Sequence, residues 1–311
     1  MKLVRESVAV GVFLLSFGVA ACGSNAASGG RIPATPQAAV DELLAADRAF
    51  SKASGGTDVV TGISAMFAPD VATTVPGGLF STSAAEAVAS LRAYSDRVGE
   101  RAAEWTPIRG GISADGMHGF TFGFMEVRTT EGKVTPMKYL SYWVKRPEGW
   151  RVAVYRRRTR GAGAVSTLLL PPALPARMVS PKNVSADILQ SIDAAERSFS
   201  LESQTIGLNA AFTKFGSDDA INMGGADQPS FTFGAAAIGR AVGQDEPAGT
   251  GSTVHWAPDR VLAASSGDLG VTIGAIHPNT PNPDGSQAAG FPFFTVWRRA
   301  SPGAPWRYIA E

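Results

Sequence analysis

The order of apolar and polar residues predicts helices first and strands afterwards in residues 37–158. Apolar residues between 40 and 50 have the spacing of one helix face. We expect a second short helix to end at Phe67, a short strand at 70–75 and a third helix at 83–98. About four long strands follow, rich in Val, Thr, Phe, Tyr and Trp and broken by glycine turns. Helices followed by a run of strands indicate an α+β layer fold with an antiparallel sheet.

The same order of elements is expected in residues 185–311. Apolar residues between 188 and 199 again have helical spacing. A second helix is expected to end at Phe215, before a short strand at 218–223 and a third helix at 234–243. The chain therefore reads as two domains of one architecture, in which each has three N-terminal helices.

Matching motifs support a duplication at the scale of a domain. WTPIRGGISADGMHGFTFG at 105–123 matches WAPDRVLAASSGDLGVTIG at 256–274, and LLAADRAFSKAS at 43–54 matches IDAAERSFSLES at 192–203. The tryptophans recur in register between the copies, and we interpret them as sheet packing, with pocket lining as the alternative. A repeat at this spacing is much longer than the unit of a solenoid protein.

The composition is typical of a globular protein and gives no sign of a partner bound through net charge. Hydrophobic residues make up 44% of the 311 residues, and 28 basic residues nearly balance 27 acidic ones. The length fits two domains of about 100–200 residues each. A net charge of +1 gives no reason to expect nucleic acid as a partner.

The N-terminal residues resemble a bacterial lipoprotein signal. Lys2 and Arg5 precede an apolar run at 8–21, which is too short to span a bilayer comfortably and ends at the single cysteine, Cys22. We interpret residues 1–21 as a lipoprotein signal peptide and Cys22 as the lipidated residue. An ordinary signal peptide with an unrelated cysteine is the alternative. The expected partner is then a membrane, reached through the lipid anchor.

Residues 22–36 are rich in Gly, Ala, Ser and Pro and are expected to form a flexible tether. The residue after Cys22 is Gly23 and not an aspartate. In Gram-negative lipoproteins this resembles sorting to the outer membrane. We therefore expect a location in the cell envelope, on the periplasmic side of the outer membrane if the cell is Gram-negative.

Each predicted domain resembles the NTF2-like superfamily, the cone-shaped fold of ketosteroid isomerase and polyketide-cyclase-like proteins, with DUF4440-like proteins as the nearest branch. The similarity rests on the phenylalanine of the first helix, the turns FAPDVA (67–72) and FGSDDA (215–220), the W-x-P strand entry and the closing tryptophan hairpin. It covers 37–158 and 185–311. The resemblance implies two tandem cone folds, each with three helices against a curved, mostly antiparallel sheet.

Residues 159–184 join the two domains and contain LLLPPALP. Because proline opposes helix formation and sheet pairing, we predict a semi-rigid linker whose leucines lie on a domain surface. Domains of the NTF2-like type often pair through their sheets. The resemblance therefore implies an intramolecular pseudo-dimer, with homo-oligomerisation as the alternative.

The resemblance also locates the pockets. Ketosteroid isomerase uses a general-base Asp, a helix-one Tyr and a protonated late-strand Asp. The aligned positions here carry side chains that do not titrate near neutral pH, and we predict that they line the pockets: Phe50, Val75 and Ser141 in the first copy, and Phe199, Met223 and Thr295 in the second. No catalytic residue is assigned, because none of these side chains is a base.

The remaining polar residues are given structural interpretations. We interpret His118 as an exposed turn residue, Asp70 and Asp218–Asp219 as turn residues, and the basic run 156–160 as a solvated sheet edge, with anionic lipid headgroups as the alternative contact for that run. The three histidines lack metal-ligand spacing, so we expect no metal and no cofactor.

Two functions remain open at this point. The leading interpretation is a non-catalytic envelope lipoprotein that binds a small apolar or amphipathic molecule or acts as a scaffold with filled cones. The alternative is a SnoaL-like isomerase, cyclase or hydratase that uses Tyr94, Tyr139, Asp70 or His118. A hydrogen-bonded Asp, Glu or His deep inside either cone and shielded from solvent would overturn the non-enzymatic interpretation.

Overall fold

A computed structural model of the protein describes residues 35–76, 79–247 and 249–311. Within residues 36–159, which we call the N-terminal half, the elements follow in this order: α1 (Pro36–Ser54), α2 (Val59–Ser64), β1 (Phe67–Val75), β2 (Leu79–Phe80), α3 (Ala84–Val98), β3 (Glu100–Ile112), β4 (His118–Thr129), β5 (Val134–Arg146) and β6 (Gly149–Thr159).

Residues 186–310 form the C-terminal half, whose elements follow nearly the same order. They are α4 (Ala186–Phe215), β7 (Gly216–Asn222), β8 (Thr232–Phe233), α5 (Ala235–Val242), β9 (Val254–Ala263), β10 (Leu269–Pro278), β11 (Phe291–Arg298) and β12 (Arg307–Ala310).

Each half contributes one six-stranded sheet, and the two strand orders correspond. The N-terminal sheet runs β2-β1-β6-β5-β4-β3, and the C-terminal sheet runs β8-β7-β12-β11-β10-β9. In both sheets the neighbouring strands are antiparallel except for one parallel pair, β1 with β6 or β7 with β12. The predicted α+β class with mostly antiparallel sheets is confirmed.

Local sequence signals set the helix boundaries of the N-terminal half. The Thr35 hydroxyl accepts a hydrogen bond from the Ala38 amide at 3.2 Å and caps α1. Asp58 caps α2 and Ser83 caps α3 in the same way. Gly99 ends α3 with a φ of 69°, a left-handed conformation that glycine adopts without a steric penalty.

Two helices differ from their predicted limits. The second helix of the N-terminal half ends before Phe67, and that residue opens β1. In the C-terminal half, the first and second helices form the single element α4, whose backbone is non-helical at Gly207 (φ 77°, ψ 165°). Glycine permits this positive φ, so the chain changes direction there and helical hydrogen bonding resumes up to Phe215.

The two sheets share an apolar core. One continuous cluster of buried side chains contains Phe122 and Leu140 of the N-terminal sheet together with Val271 and Phe294 of the C-terminal sheet. The ring of Phe231 lies 4.9 Å from that of Phe122, between centroids. Each sheet thus packs on the helices of its own half with one face and on the other sheet with the opposite face.

Reciprocal hydrogen bonds join two equivalent hairpin loops, one in each half. The Asp115 carboxylate accepts hydrogen bonds from the Ser265 hydroxyl (2.7 Å) and the Ser266 amide (3.1 Å). The Asp268 carboxylate accepts one from the Ala114 amide (3.0 Å). Each loop therefore satisfies backbone or hydroxyl donors of the other, which fixes the register of the two sheets.

A buried lysine also crosses between the halves. The Lys138 ammonium donates to the backbone carbonyls of Gly225, Gln228 and Ser230 at 3.0–3.3 Å. Burial lowers the pKa of Lys138 to about 8. This side chain of β5 holds the loop between β7 and β8 against the N-terminal sheet.

The linker pairs with β3, contrary to the prediction that its prolines prevent pairing. Gly111 and Ala173 form a parallel β-bridge, and the Leu170 amide donates to the Ile108 carbonyl at 2.7 Å. Pairing is possible because Leu170 and Ala173 flank the two prolines and retain their N–H groups. Of the linker leucines, Leu168 and Leu169 are exposed as predicted, whereas Leu170 and Leu174 are partly buried against the cores.

Within the described ranges, none of the helices has the length and apolar character needed to cross a bilayer. Cys22, the predicted signal peptide and most of the predicted tether lie outside those ranges. Their assignments therefore stay predictions.

Candidate functional site

An open pocket lies between α3 and the sheet of the N-terminal half. Its volume is about 600 Å³, and small-molecule sites typically enclose about 300–1,000 Å³. Its inner wall is formed by the buried side chains of Phe67, Ala87, Met137 and Tyr155. The rings of Phe67 and Tyr155 are 5.8 Å apart between centroids. This wall offers an apolar contact surface.

The mouth of the pocket carries positive charge around one aromatic ring. Tyr94 is 40% exposed. The guanidinium carbon of Arg97 lies 5.3 Å from the Tyr94 ring centroid, and that of Arg157 lies 5.7 Å from it. Both distances allow a cation–π contact. Arg158 also borders the mouth, and no acidic residue is present in the described lining.

Arg157 is held in place by a buried ion pair. Its Nη2 donates to Glu100 Oε2 at 2.6 Å, and the Ser95 hydroxyl donates to the same oxygen at 2.8 Å. The side chains of Arg157 and Glu100 are 9% and 5% exposed. Arg157 Nη1 lies 3.9 Å from Met137 Sδ, a weak acceptor, so no oxygen accepts from this nitrogen among the described residues.

A fully buried carboxyl group lies inside the N-terminal half. Asp47 Oδ1 accepts a hydrogen bond from Trp105 Nε1 at 2.6 Å, and Oδ2 accepts one from the Tyr139 hydroxyl at 2.8 Å. Asp47 is 0% exposed. Burial raises the pKa of Asp47, and it raises that of Tyr139 as well. The group connects α1 to strands β3 and β5.

Glu196 occupies the equivalent place in the C-terminal half. Its Oε1 accepts a hydrogen bond from Trp256 Nε1 at 2.6 Å. Its Oε2 accepts hydrogen bonds from the Thr272 hydroxyl (2.5 Å) and from Trp297 Nε1 (2.9 Å). Glu196 is also fully buried, and burial raises its pKa.

These two groups correct the expectation that the cone interiors hold no titratable acid. Asp47 and Glu196 stand three residues before Phe50 and Phe199, which is about one helical turn, so they face the same interior. A signal was present in the acidic residue shared by the matching segments LLAADRAF and IDAAERSF. Both carboxyl groups have their oxygens hydrogen-bonded, and neither borders the open pocket.

Of the pocket residues predicted in the N-terminal half, Val75 borders the pocket and the other two do not. Phe50 stacks on Trp143, with centroids 6.0 Å apart, and the Arg151 guanidinium lies 5.7 Å from its ring centroid. Ser141 is buried in β5, and its hydroxyl has no hydrogen-bond partner among the described residues.

The predicted pocket residues of the C-terminal half lie in packed interiors. The Phe199 ring contacts those of Phe212, Trp256 and Phe215, with centroids 4.8, 4.9 and 5.1 Å away. Thr295 is buried on β11 opposite Thr272. Met223 is buried in the core that the two sheets share, on the opposite side of the sheet from Phe199. Aromatic rings therefore fill the space around Phe199.

The residues named for a catalytic alternative do not converge. Tyr94 lies at the pocket mouth, whereas Tyr139 is buried against Asp47. His118 is partly buried at the start of β4, and its Nδ1 lies 3.0 Å from the Tyr142 hydroxyl. Burial lowers the pKa of His118 to about 4. The interpretation of His118 as an exposed turn residue is thus wrong.

The acidic residues interpreted as turns lie on strands and make ion pairs. Asp70 of β1 accepts hydrogen bonds from Arg146 (2.6 Å) and from Arg260 of the other half (3.0 Å). Asp219 of β7 pairs with Arg109, whose Nη1 also donates to the Asp219 carbonyl at 2.6 Å. These carboxylates connect the halves. Local sequence patterns do not show which residues of the two halves pair with each other.

The basic run 156–160 is a solvated edge only in part: the pairing of β1 with β6 ends at Tyr155, and Arg158 is exposed, whereas Arg156 and Arg157 are half-buried. Arg157 is paired with Glu100, and burial lowers the pKa of Arg156 to about 10. Arg158 donates to the Gly224 carbonyl of the other half at 2.6 Å. Arg157 and Arg158 thus border the pocket mouth, and Arg158 also contacts the other half.

The histidines of the C-terminal half lie on adjacent strands. The rings of His255 and His277 stack with centroids 5.8 Å apart, and His255 Nδ1 lies 2.8 Å from Asn279 Oδ1. Across residues 35–76, 79–247 and 249–311, no group of three or more His, Cys, Asp or Glu side chains has the arrangement of a metal site.

Comparison with known proteins gives similarity to solved structures only. No family model matches the chain, and no curated protein matches it. An NTF2-like protein of unknown function from Pseudomonas putida KT2440 is 13% identical, with a TM-score of 0.33, and the match covers 41% of this chain and 91% of that one.

Two further solved structures are similar over one part of the chain. A Nostoc punctiforme domain of unknown function with a cystatin-like fold is 18% identical, with a TM-score of 0.30, over 36% of this chain and 74% of that one. A Catenulispora acidiphila protein in complex with S-DNPA is 14% identical, with a TM-score of 0.31, over 38% and 91%. Similarities at this level assign no activity, substrate or partner.

Proposed function

We propose that the N-terminal half binds a small apolar or amphipathic molecule in the pocket beneath α3, without catalysing a reaction on it. The observation that carries this proposal is the open pocket of about 600 Å³ with an apolar wall. Binding energy in such a site comes mainly from the apolar area removed from water. The C-terminal half, whose interior is filled around Phe199, acts as a scaffold.

The proposal includes two NTF2-like domains that form an intramolecular pseudo-dimer. It is supported by the equivalent strand orders, by the shared core and by the reciprocal contacts of Asp115 and Asp268. The motifs W-x-P and FAPDVA or FGSDDA occur at matching places in the two sheets. The domains correspond to residues 37–158 and 185–311, joined by the linker 159–184.

We further propose that the chain is a lipoprotein of the cell envelope, anchored through Cys22. The support is the apolar run at 8–21 that ends at the single cysteine. Metabolic labelling with a fatty-acid analogue tests this anchor. We expect label on the full chain and none on Cys22→Ala, and equal label on both would exclude the anchor.

A catalytic alternative, a SnoaL-like isomerase, cyclase or hydratase, is favoured by one observation: Asp47 and Glu196 are buried carboxyl groups with raised pKa values. The geometry opposes it, because both groups are 0% exposed and their oxygens accept hydrogen bonds from Trp, Tyr or Thr side chains. A general base must reach the proton that it removes. Asp47 and Glu196 thus meet the condition stated from the sequence for giving up the non-enzymatic interpretation. What supports the non-catalytic proposal is that neither group borders the open pocket, so a ligand bound there does not reach them.

The binding proposal is tested by filling the pocket. Ser90 of α3 borders the pocket, and its neighbour Ala89 is exposed and does not. We expect Ser90→Trp to abolish binding of a neutral hydrophobic fluorophore such as N-phenyl-1-naphthylamine, measured by fluorescence enhancement on the full chain. Ala89→Trp adds the same side chain outside the pocket and should leave binding unchanged. If both variants bind like the parent chain, the pocket is not the binding site.

A further inference from the structure

We infer that the ligand of this pocket is a single-chain amphiphile with an anionic head group, such as a carboxylate. The inference rests on the proposed function and names the class of molecule that the site selects. Three arginines, Arg97, Arg157 and Arg158, border the pocket, and its described lining contains no acidic residue. The charge at the mouth is therefore positive, and it stands next to an apolar wall.

The arginines are arranged to act together on one group. Arg97 and Arg157 both lie against the ring of Tyr94, at 5.3 and 5.7 Å from its centroid. Glu100 holds Arg157 through Nη2 on the buried side. Arg97 is exposed, and its guanidinium suits the planar, bidentate geometry of a carboxylate. Arg157 Nη1, which has only the weak contact with Met137 Sδ, lies on the same tyrosine ring.

The apolar wall suits the chain of such a molecule. Phe67, Leu91 and Met137 line the inside, and Val75 lies at the end of β1. A neutral molecule of the same length would use this wall and leave the arginines unpaired with ligand. A cationic one would meet like charge at the mouth, which disfavours binding.

We expect the anionic ligand in the N-terminal half, because the three arginines that border the open pocket belong to α3 and β6. Tyr308 of β12 stacks on Phe199 at 5.8 Å, where the matching residue of the N-terminal half is the smaller Val152. Among the described residues, the space around Phe199 is thus filled by aromatic rings.

The test compares two probes that differ only in the head group. Equilibrium dialysis of the full chain at pH 7.5 measures binding of radiolabelled decanoate and 1-decanol. We expect decanoate to bind more tightly, and Arg97→Gln to weaken decanoate about fivefold, the order of a partly exposed ion pair, with decanol unchanged. The matched control is Arg92→Gln, which removes the same charge from an exposed position of α3 outside the pocket lining. It should change neither affinity.

Each outcome has a defined meaning. If decanol and decanoate bind equally in all three proteins, the anionic class is wrong and the apolar pocket stands. If neither probe binds, the proposed function fails, and the inference fails with it. If Arg92→Gln weakens decanoate as much as Arg97→Gln, the effect is one of overall charge, which overturns the inference.

The source of the amphiphile is tested separately. Sedimentation with phosphatidylglycerol vesicles measures attraction to anionic headgroups in a membrane, using the Cys22→Ala chain to remove the proposed anchor. We expect no difference between that chain and one that also carries Arg97→Gln. Loss of vesicle binding in the double variant would identify a membrane surface as the target in place of a free amphiphile. Arg157 is left intact in these tests because its removal would leave Glu100 buried without a cation.

Discussion

The two halves of this chain have one strand order and two different interiors. In the N-terminal half, helix α3 and β6 leave an open space that Tyr155 and Phe67 border. In the C-terminal half, Tyr308 stacks on Phe199. The two places are not counterparts, because Phe199 matches Phe50, which does not border the pocket. The same strand order thus accommodates an open space beneath α3 in one half and a filled space around the first helix in the other.

The halves resemble each other most closely where a carboxyl group is buried. Asp47 accepts hydrogen bonds from one Trp and one Tyr, and Glu196 accepts them from two Trp and one Thr. In each case the acid lies on the first helix and its donors lie on the sheet. The network therefore fixes the helix on the sheet in both halves, whether or not the half contains a pocket.

The largest expected effect is a loss of unfolding free energy when the buried acid is removed, and it should differ between the two networks. Glu196→Ala removes an acceptor shared by three buried donors. Trp256 Nε1 is left without an acceptor, while Trp297 Nε1 and the Thr272 hydroxyl each keep a longer second contact. With the cavity left by the larger side chain, the variant should cost about 5 kcal/mol of unfolding free energy. Asp47→Ala removes the acceptor of two donors and should cost about 3 kcal/mol. Urea unfolding followed by tryptophan fluorescence measures both. Glu196→Gln keeps an acceptor oxygen and is the control, expected to lose less than the Ala variant. Equal losses for the two Ala variants would show that the donor count does not set the cost.

The next effect compares the two phenylalanines that sequence reasoning placed at equivalent positions. Phe199 is 1% exposed among aromatic rings, and Phe199→Ala should cost about 4 kcal/mol because a cavity remains. Phe50 is only partly buried, so Phe50→Ala should cost about 1–2 kcal/mol. Guanidinium unfolding of the two variants gives both values. A larger loss at Phe50 would contradict the difference in burial between the two rings.

The last effect is smaller than the losses at Glu196, Asp47 and Phe199, depends on pH and is confined to the N-terminal half. The pKa of His118 is lowered to about 4, against about 6.5 when the chain is unfolded. Below about pH 6.5 the unfolded chain binds the proton first, so this group removes stability as the pH falls from about 6.5 to about 4. We expect a loss of about 2 kcal/mol across that window, after allowance for partial exposure. His118→Gln should unfold with a smaller pH slope than the parent chain. An unchanged slope would mean that His118 does not titrate differently in the folded chain.

The repeated order of elements was predictable from the sequence because it depends on local patterns. Helical spacing before strand patterns gives the α+β class, and the matching motifs at 105–123 and 256–274 indicate the second copy. Helix limits were less accurate. The merger of two helices into α4 depends on the conformation of Gly207, and that position is not distinguished by composition alone.

The interior carboxyl groups were missed for a physical reason. Asp47 meets Trp105 across 58 positions of sequence, and Glu196 meets Trp256 across 60. An acidic residue next to an arginine on a helix has the pattern of an exposed face. Only the fold shows that it is the acid, not the arginine, that faces the sheet. The pocket was located in part, at Val75, since a family alignment gives positions but not the side-chain volumes around them.

The pairing of residues 170–173 with β3 has a consequence for the behaviour of the protein at high concentration. A bare outer strand offers free amide and carbonyl groups to the strands of other molecules, which is a common route to fibrils and precipitates. Here the linker residues Leu170 and Ala173 pair with the outer strand β3. The prolines between and after them lack N–H groups, so a strand of another molecule cannot pair with the linker in turn. The linker therefore also opposes self-association through the β3 edge of the N-terminal sheet.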